Sequence, residues 1–85
     1  MGYAMTISLP RHPRYAATAR LIAAQSAHDC GCAAGPADVF AGSVEDAARQ
    51  RLAAADPAPH VTMAVERTAD ALVVTIDAHV MQLAL

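Results

Sequence analysis

The 85-residue chain has no lysine, no tryptophan and only three aromatic side chains, Tyr3, Tyr15 and Phe40. Its six basic residues are scattered arginines and its formal charge is −2, which excludes the basic patch that nucleic-acid binding needs. No apolar run approaches the ~20 residues of a bilayer-spanning helix, so no membrane span is expected. Residues 1–9 carry no basic leader and run into Pro10-Arg11-His12-Pro13, so no signal peptide is expected and the chain reads as cytoplasmic. There are only two cysteines, Cys30 and Cys32, one residue apart. A bond between them would close almost no loop, so both read as reduced thiols.

What the chain has in quantity is alanine, 22 residues of the 85. The hydrophobic fraction of 55% therefore overstates the core: setting aside alanine and cysteine leaves 23 large apolar residues. A chain this short is one domain, residues 1–85, burying roughly 60–65% of its unfolded surface. With so few large side chains a free-standing monomer is marginal, and a homodimer is the expected state.

Apolar and polar residues alternate over residues 4–9, with Met5, Ile7 and Leu9 on one face, which predicts a half-buried strand. Pro10 and Pro13 end it, and Pro13 suits the first turn of a helix. That helix is predicted to run to about Cys30, with Tyr15, Ala19, Ile22, Ala23, Ser26 and Cys30 on one face. A second stripe, Ala17, Leu21, Ala24 and His28, lies nearly opposite and is read as a surface for a second chain. Gly31 is the stop. Gly35-Pro36 opens a second helix, expected to reach about Ala55, with a stripe of Ala37, Phe40, Ala41, Val44, Ala48, Leu52 and Ala55. Arg51 is an exception inside that stripe. Asp56-Pro57-Ala58-Pro59 breaks the chain.

Residues 60–66 and 71–78 alternate again, through Val61, Met63 and Val65 and through Leu72, Val74 and Ile76, with residues 67–70 as a four-residue hairpin loop. Residues 79–85 are apolar without a decided period; they extend the strand, start a helix or fray. The expected fold is α+β, in the order strand-helix-helix-strand-strand: a small antiparallel-containing sheet with two helices on one face.

Several phrases carry a resemblance. Leu9-Pro10-Arg11-His12-Pro13-Arg14-Tyr15, Ala19-Arg20-Leu21-Ile22, the run from Asp38 to Arg49, and Leu72-Val73-Val74-Thr75-Ile76-Asp77 follow one another in a characteristic order. Over about residues 5–78 this order resembles the N-terminal part of the anti-sigma-factor kinases, in the histidine-kinase-like ATPase (Bergerat) superfamily. The resemblance implies a shortened Bergerat-like fold. It places Glu45 at the family's helix-two glutamate, Arg49 where the family has a metal-binding asparagine, and Asp77 at the aspartate that reads the adenine amino group.

The departures decide what is expected. Arg49 has donors only and no lone pair for a metal ion. With Glu45 it forms instead an i,i+4 acid–base pair of the favourable orientation. The glycines that follow the family's aspartate are replaced by Ala78-His79-Val80-Met81, and a Cβ there removes the room for close backbone approach to a nucleotide. The family's later glycine-rich motif and lid have no counterpart here. No cofactor, no ATP hydrolysis and no kinase activity are expected.

Two other readings of the residues stand beside this one. A reduced pocket near Glu45 and Asp77 would make the chain a small-ligand or nucleotide binder. His28, Cys30 and Cys32 carry soft-ligand chemistry and would make it a metal or redox module. Helical geometry sets His28 about 160° around the axis from Cys30, and a helix C-terminus disfavours the thiolate a nucleophile needs. The favoured expectation is a non-catalytic regulatory protein that holds a protein partner, by implication of the resemblance a sigma factor or its regulator. The surface expected to do so comprises Ala17, Leu21 and Ala24 with Val80, Met81 and Leu83.

Overall fold

The computed structural model describes residues 3–85. Strand β1 (Tyr3–Pro10) leads through a 3-10 turn (Pro13–Tyr15) into helix α1 (Ala16–Asp29), followed by helix α2 (Ala34–Ala53) and strands β2 (His60–Arg67), β3 (Ala71–Ile76) and β4 (His79–Ala84). The strands form one antiparallel sheet in the order β1-β2-β3-β4. Both helices pack on one face of it, α1 toward β2 and β3 and α2 toward β3 and β4. The architecture is α+β in two layers, as the hydropathy patterning predicts.

The strand periods produce the core directly. Leu9, Val61, Met63, Val65, Leu72, Val74 and Ile76 point into the helix layer and are buried. Their sequence neighbours Ser8, Thr62 and Glu66 point to the other face and are exposed. From the helices come Ala16, Ala19, Ala23 and Ala27 of α1, and Ala37, Phe40, Ala41, Val44, Ala48 and Leu52 of α2. The predicted α2 stripe is therefore the buried face, except that Ala55 lies beyond the helix end and is exposed. Arg51 does not interrupt the core, because its side chain is exposed.

The second stripe of α1 stays on the outside. Ala17, Leu21 and His28 are exposed and Ala24 is half-buried. The helix ends in a Schellman motif: Gly31 N donates to His28 O at 2.9 Å and Cys32 N to Ala27 O at 3.0 Å. Gly31 occupies the left-handed position at φ +81°, which a glycine takes without a Cβ penalty.

The structure departs from the sequence expectation in the last quarter of the chain. The third strand stops at Ile76, not Ala78; Asp77 and Ala78 form a two-residue turn, and residues 79–84 return as a fourth strand. Residues 79–85 show no clear period because both sides of β4 carry apolar residues: Met81 and Leu83 face the helices, Val80 and Ala84 the open face. The loop between β2 and β3 is also tighter than expected. Thr68 N donates to Ala71 O at 2.8 Å, and Ala71 N donates to Thr68 Oγ1 at 3.1 Å, leaving only Ala69 and Asp70 at the tip.

β1 and β2 are neighbours in space, but both helices lie between them in the chain. The junction is closed by Arg11, whose side chain is 12% exposed. Its backbone N donates to Pro59 O at 2.9 Å, one rung beyond the Pro10–His60 pair. Its Nε donates to Ala58 O at 2.6 Å and its Nη1 to Arg51 O at 2.7 Å, with Asp56 Oδ1 4.0 Å away. One guanidinium thus ties the end of β1 to the last turn of α2 and to the proline loop.

Two stability outcomes follow from these contacts. Arg11→Ala removes the charge-assisted bonds to the carbonyls of Arg51 in α2 and Ala58 in the proline loop. It is expected to cost about 2–3 kcal/mol in urea unfolding, with Tm lower by about 10 °C or more. Gly42 sits inside α2, and a Cβ there meets only Arg20 Nη1 at 3.7 Å, an ordinary contact. Gly42→Ala is therefore expected to stabilise by about 0.5–1 kcal/mol through helix propensity, and a loss of stability in the same assay would contradict the packing described.

Candidate functional site

Glu45 sits half-buried in the middle of α2, where the helix faces α1. Its Oε1 accepts from Arg20 Nη1 of α1 at 3.2 Å, and its Oε2 lies 3.4 Å from Arg49 Nη2 one turn on. Arg49 also reaches Asp46 Oδ1 at 3.2 Å. Both carboxylate oxygens of Glu45 are thus engaged by guanidinium groups. The pair predicted from the i,i+4 spacing forms, and Arg20 extends it across the helix interface. The arrangement is chemically a helix-to-helix clamp, partly screened by solvent and therefore of modest strength.

Asp77 has a different partner, Thr62, and is the first residue of the β3–β4 turn. Its φ is +53°, a left-handed conformation that Asp adopts more readily than most residues. Its backbone N donates to Thr62 O at 2.9 Å, and its Oδ1 accepts from Thr62 N at 3.4 Å. The side chain therefore caps the ladder between β2 and β3. The chain reverses immediately afterwards, so Ala78-His79-Val80-Met81 enters a hairpin and not a loop around a ligand.

The cysteines belong to the end of α1. Cys30 is its C-cap residue and Cys32 supplies the long-range N–H of the Schellman motif; both are half-buried against the core as free thiols. His28 is exposed. Among the described residues no group of three or more His, Cys, Asp or Glu side chains converges as metal ligands, so His28, Cys30 and Cys32 do not form one. The Cys-Gly-Cys spacing has a backbone explanation: the glycine makes the left-handed turn, and the flanking cysteines fill its apolar sides.

Among the grooves formed by the described residues are three shallow ones, and neither Glu45 nor Asp77 lines any of these. One, of about 180 Å³, lies where the end of α2 meets the start of β4, between Arg51, Ala54 and His79. A second, of about 370 Å³, runs beside β1 between Met5, Leu21 and Ile22. The third, of about 510 Å³, lies between α2 and β4 and is lined by Pro36, Val39, Phe40, Gln82 and Leu83 among others.

The residues singled out as a contact surface fall in two places. Ala17, Leu21 and Ala24 are on the outer side of α1, with Leu21 70% exposed. Val80, Met81 and Leu83 are on β4, but on opposite faces: Val80 is 55% exposed on the open face, while Met81 and Leu83 are half-buried beneath α2. The sequence reading missed Val39, which is 73% exposed beside the β4 groove. Its signal was available: Val39 is a large apolar residue lying off the buried α2 stripe. No helix of the described residues is long and apolar enough to cross a membrane. In comparisons with protein-family models, with curated proteins and with solved structures, the chain has no match.

The turn role of Asp77 separates it from a ligand-reading role by mutation. Asp77→Asn keeps the left-handed preference and an acceptor for Thr62 N, and is expected to change stability by less than about 0.5 kcal/mol. Asp77→Ala is expected to cost about 1–2 kcal/mol in denaturant unfolding, from the left-handed backbone and the lost acceptor.

Proposed function

We propose that this chain is a non-catalytic interaction protein of the cytoplasm, a shortened relative of the anti-sigma-factor kinases that holds a protein partner and not a nucleotide. The observation that carries the reading is the occupation of Glu45. On the resemblance, catalysis would require its carboxylate and the residue four positions on to organise a metal-bound nucleotide. In this chain that residue is Arg49, and a second guanidinium, Arg20, takes the other oxygen. Two cations stand where a divalent ion would be needed, and neither side chain has a lone pair to offer it.

Asp77 supports the same reading, because its side chain is committed to Thr62 and its backbone to a hairpin. Large apolar side chains left in solvent, Leu21 and Val39 foremost, supply contact area of the kind partner surfaces use. On the resemblance, the partner is a sigma factor or a protein that regulates one.

Calorimetry with Mg-ATP and with Mg-ADP tests the reading. No heat of binding is expected at protein concentrations of about 50–100 μM, and a dissociation constant in the micromolar range would overturn it.

A further inference from the structure

Antiparallel strands exchange main-chain hydrogen bonds at every second residue. The parity here is set at the strand ends, where Asp77 N donates to Thr62 O, Thr68 N to Ala71 O and Leu85 N to Asp70 O, each at 2.8–2.9 Å. Carried through the register, these bonds turn the N–H and C=O groups of His79, Met81 and Leu83 toward β3. Those of Val80, Gln82 and Ala84 point away from the sheet, along an edge that no described strand covers. The opposite edge, β1, differs in that it ends in Pro10, which has no N–H to offer.

The two edges also differ in what surrounds them. Among the described residues, of the four large apolar side chains most exposed, Val39, Val80 and Leu85 gather at β4 and Leu21 lies on the β1 side. Neither edge strand carries a formally charged side chain, but the groove beside β1 includes Asp29, whereas the groove between β4 and α2 is lined by none. A charged peptide would find no complement there. An uncharged, apolar, extended strand would, and β4 is itself such a strand.

We propose that two copies of this chain pair through β4, antiparallel about a two-fold axis at Gln82, to make one continuous eight-stranded sheet. This deepens the interaction-protein reading, on which it rests, by naming a partner. The register is the one that uses all three free residues on each side: Gln82 faces Gln82 of the second copy, and Val80 faces its Ala84. Those are the hydrogen-bonded pairs. Between them, in the closer non-bonded pairs, Met81 meets Leu83 on the helix side, and each groove receives the other's side chains. Two-fold pairing closes on itself, whereas joining β4 to β1 would propagate a filament. A six-residue strand is about 20 Å long. With the neighbouring turns of α2 the contact covers about 600 Å² per partner, at the small end for specific interfaces, so micromolar dissociation is expected.

Sedimentation velocity over about 1 μM to 1 mM measures it. The wild-type chain is expected to pass from monomer to dimer within that range. Gln82→Pro removes an N–H that points away from β3, and Gln82→Lys sets two ammonium groups across the axis. Each is expected to raise the dissociation constant at least about 10-fold, with the far-ultraviolet circular dichroism of the wild type retained. If the proline variant fails to fold, the lysine variant decides. Thr6→Pro, the equivalent change on the β1 edge, is expected to leave the dimer intact.

A wild-type chain that stays monomeric throughout overturns the pairing, as does a dimer weakened by Thr6→Pro and untouched by either Gln82 change. Monomeric protein that takes up no nucleotide sinks the β4 pairing alone. Nucleotide binding sinks the interaction-protein reading whatever the oligomeric state.

Discussion

The contact on which the rest of the fold depends is the one Arg11 makes where the chain returns from its helices. β1 is useless as an isolated strand; it acquires a partner only after α1 and α2 have been laid down and β2 begins. That long closure costs entropy which no local contact repays. Arg11 gathers its return at one point, with its backbone extending the β1–β2 ladder to Pro59 and its guanidinium reaching carbonyls of Arg51 and Ala58. The carbonyl of Arg51 belongs to the last turn of α2, where it accepts only a 3.3 Å bond from Ala54 N at the helix cap and has a lone pair left for the guanidinium. The proline loop likewise has carbonyls and few N–H groups. A planar side chain that only donates is chemically suited to that junction, where carbonyls take its shortest bonds and the Asp56 carboxylate stands farther off, at 4.0 Å.

Within that closure, alanine sets the spacing of the layers. Ala19, Ala23 and Ala27 of α1 and Ala37, Ala41 and Ala48 of α2 are almost wholly removed from solvent. Each buries little area, so the helices contribute less hydrophobic free energy than leucine-rich ones would. What they allow is close approach, and the larger residues needed to fill the space come from the sheet, chiefly Met63, Leu72 and Ile76. The Arg20–Glu45 contact then crosses the same helix interface at its solvent edge. A thin helical layer covers β2 and β3 well and leaves the outer strands less protected, which is why Met5, Ile7, Met81 and Leu83 are only partly buried.

Much of this was legible in the sequence because the periods were clean. The alternation through Val61, Met63 and Val65 and the α2 stripe from Ala37 to Leu52 have one polar side and one apolar side, so pattern and burial agree. The Glu45–Arg49 pair was legible for the same reason: four residues on a helix is a fixed distance. What escaped was whatever depended on both faces being alike or on contacts distant in sequence. β4 hid because Val80 and Ala84 on one face are nearly as apolar as Met81 and Leu83 on the other. Arg20's reach to Glu45 and Arg11's reach to Arg51 join residues far apart in the chain, and no local spacing announces them. The Cys-Gly-Cys segment advertises its sulfur in the sequence, although its physical content is the left-handed Gly31.

The turn at Asp77 links the proposed loss of nucleotide binding to the proposed pairing surface. A strand that ends in an aspartate followed by glycines can leave the sheet and wrap its backbone around a ligand. Here Ala78 follows Asp77, and the chain has no glycine from there to Leu85. With a Cβ on each residue, the favourable course is to reverse at once and pair with β3, since that satisfies main-chain groups the loop would otherwise leave to water. The reversal commits Asp77 to Thr62 and simultaneously creates β4, whose outer N–H and C=O groups then have no partner within the chain. On the resemblance, the lack of glycine after Asp77 would account both for the proposed loss of nucleotide binding and for the uncovered edge of β4. An uncharged edge of this kind is unprotected by the lysines, inward charges or bulges that usually blunt such strands. A chain carrying it gains from covering it with a defined partner, and the proposed pairing covers it with β4 of a second copy.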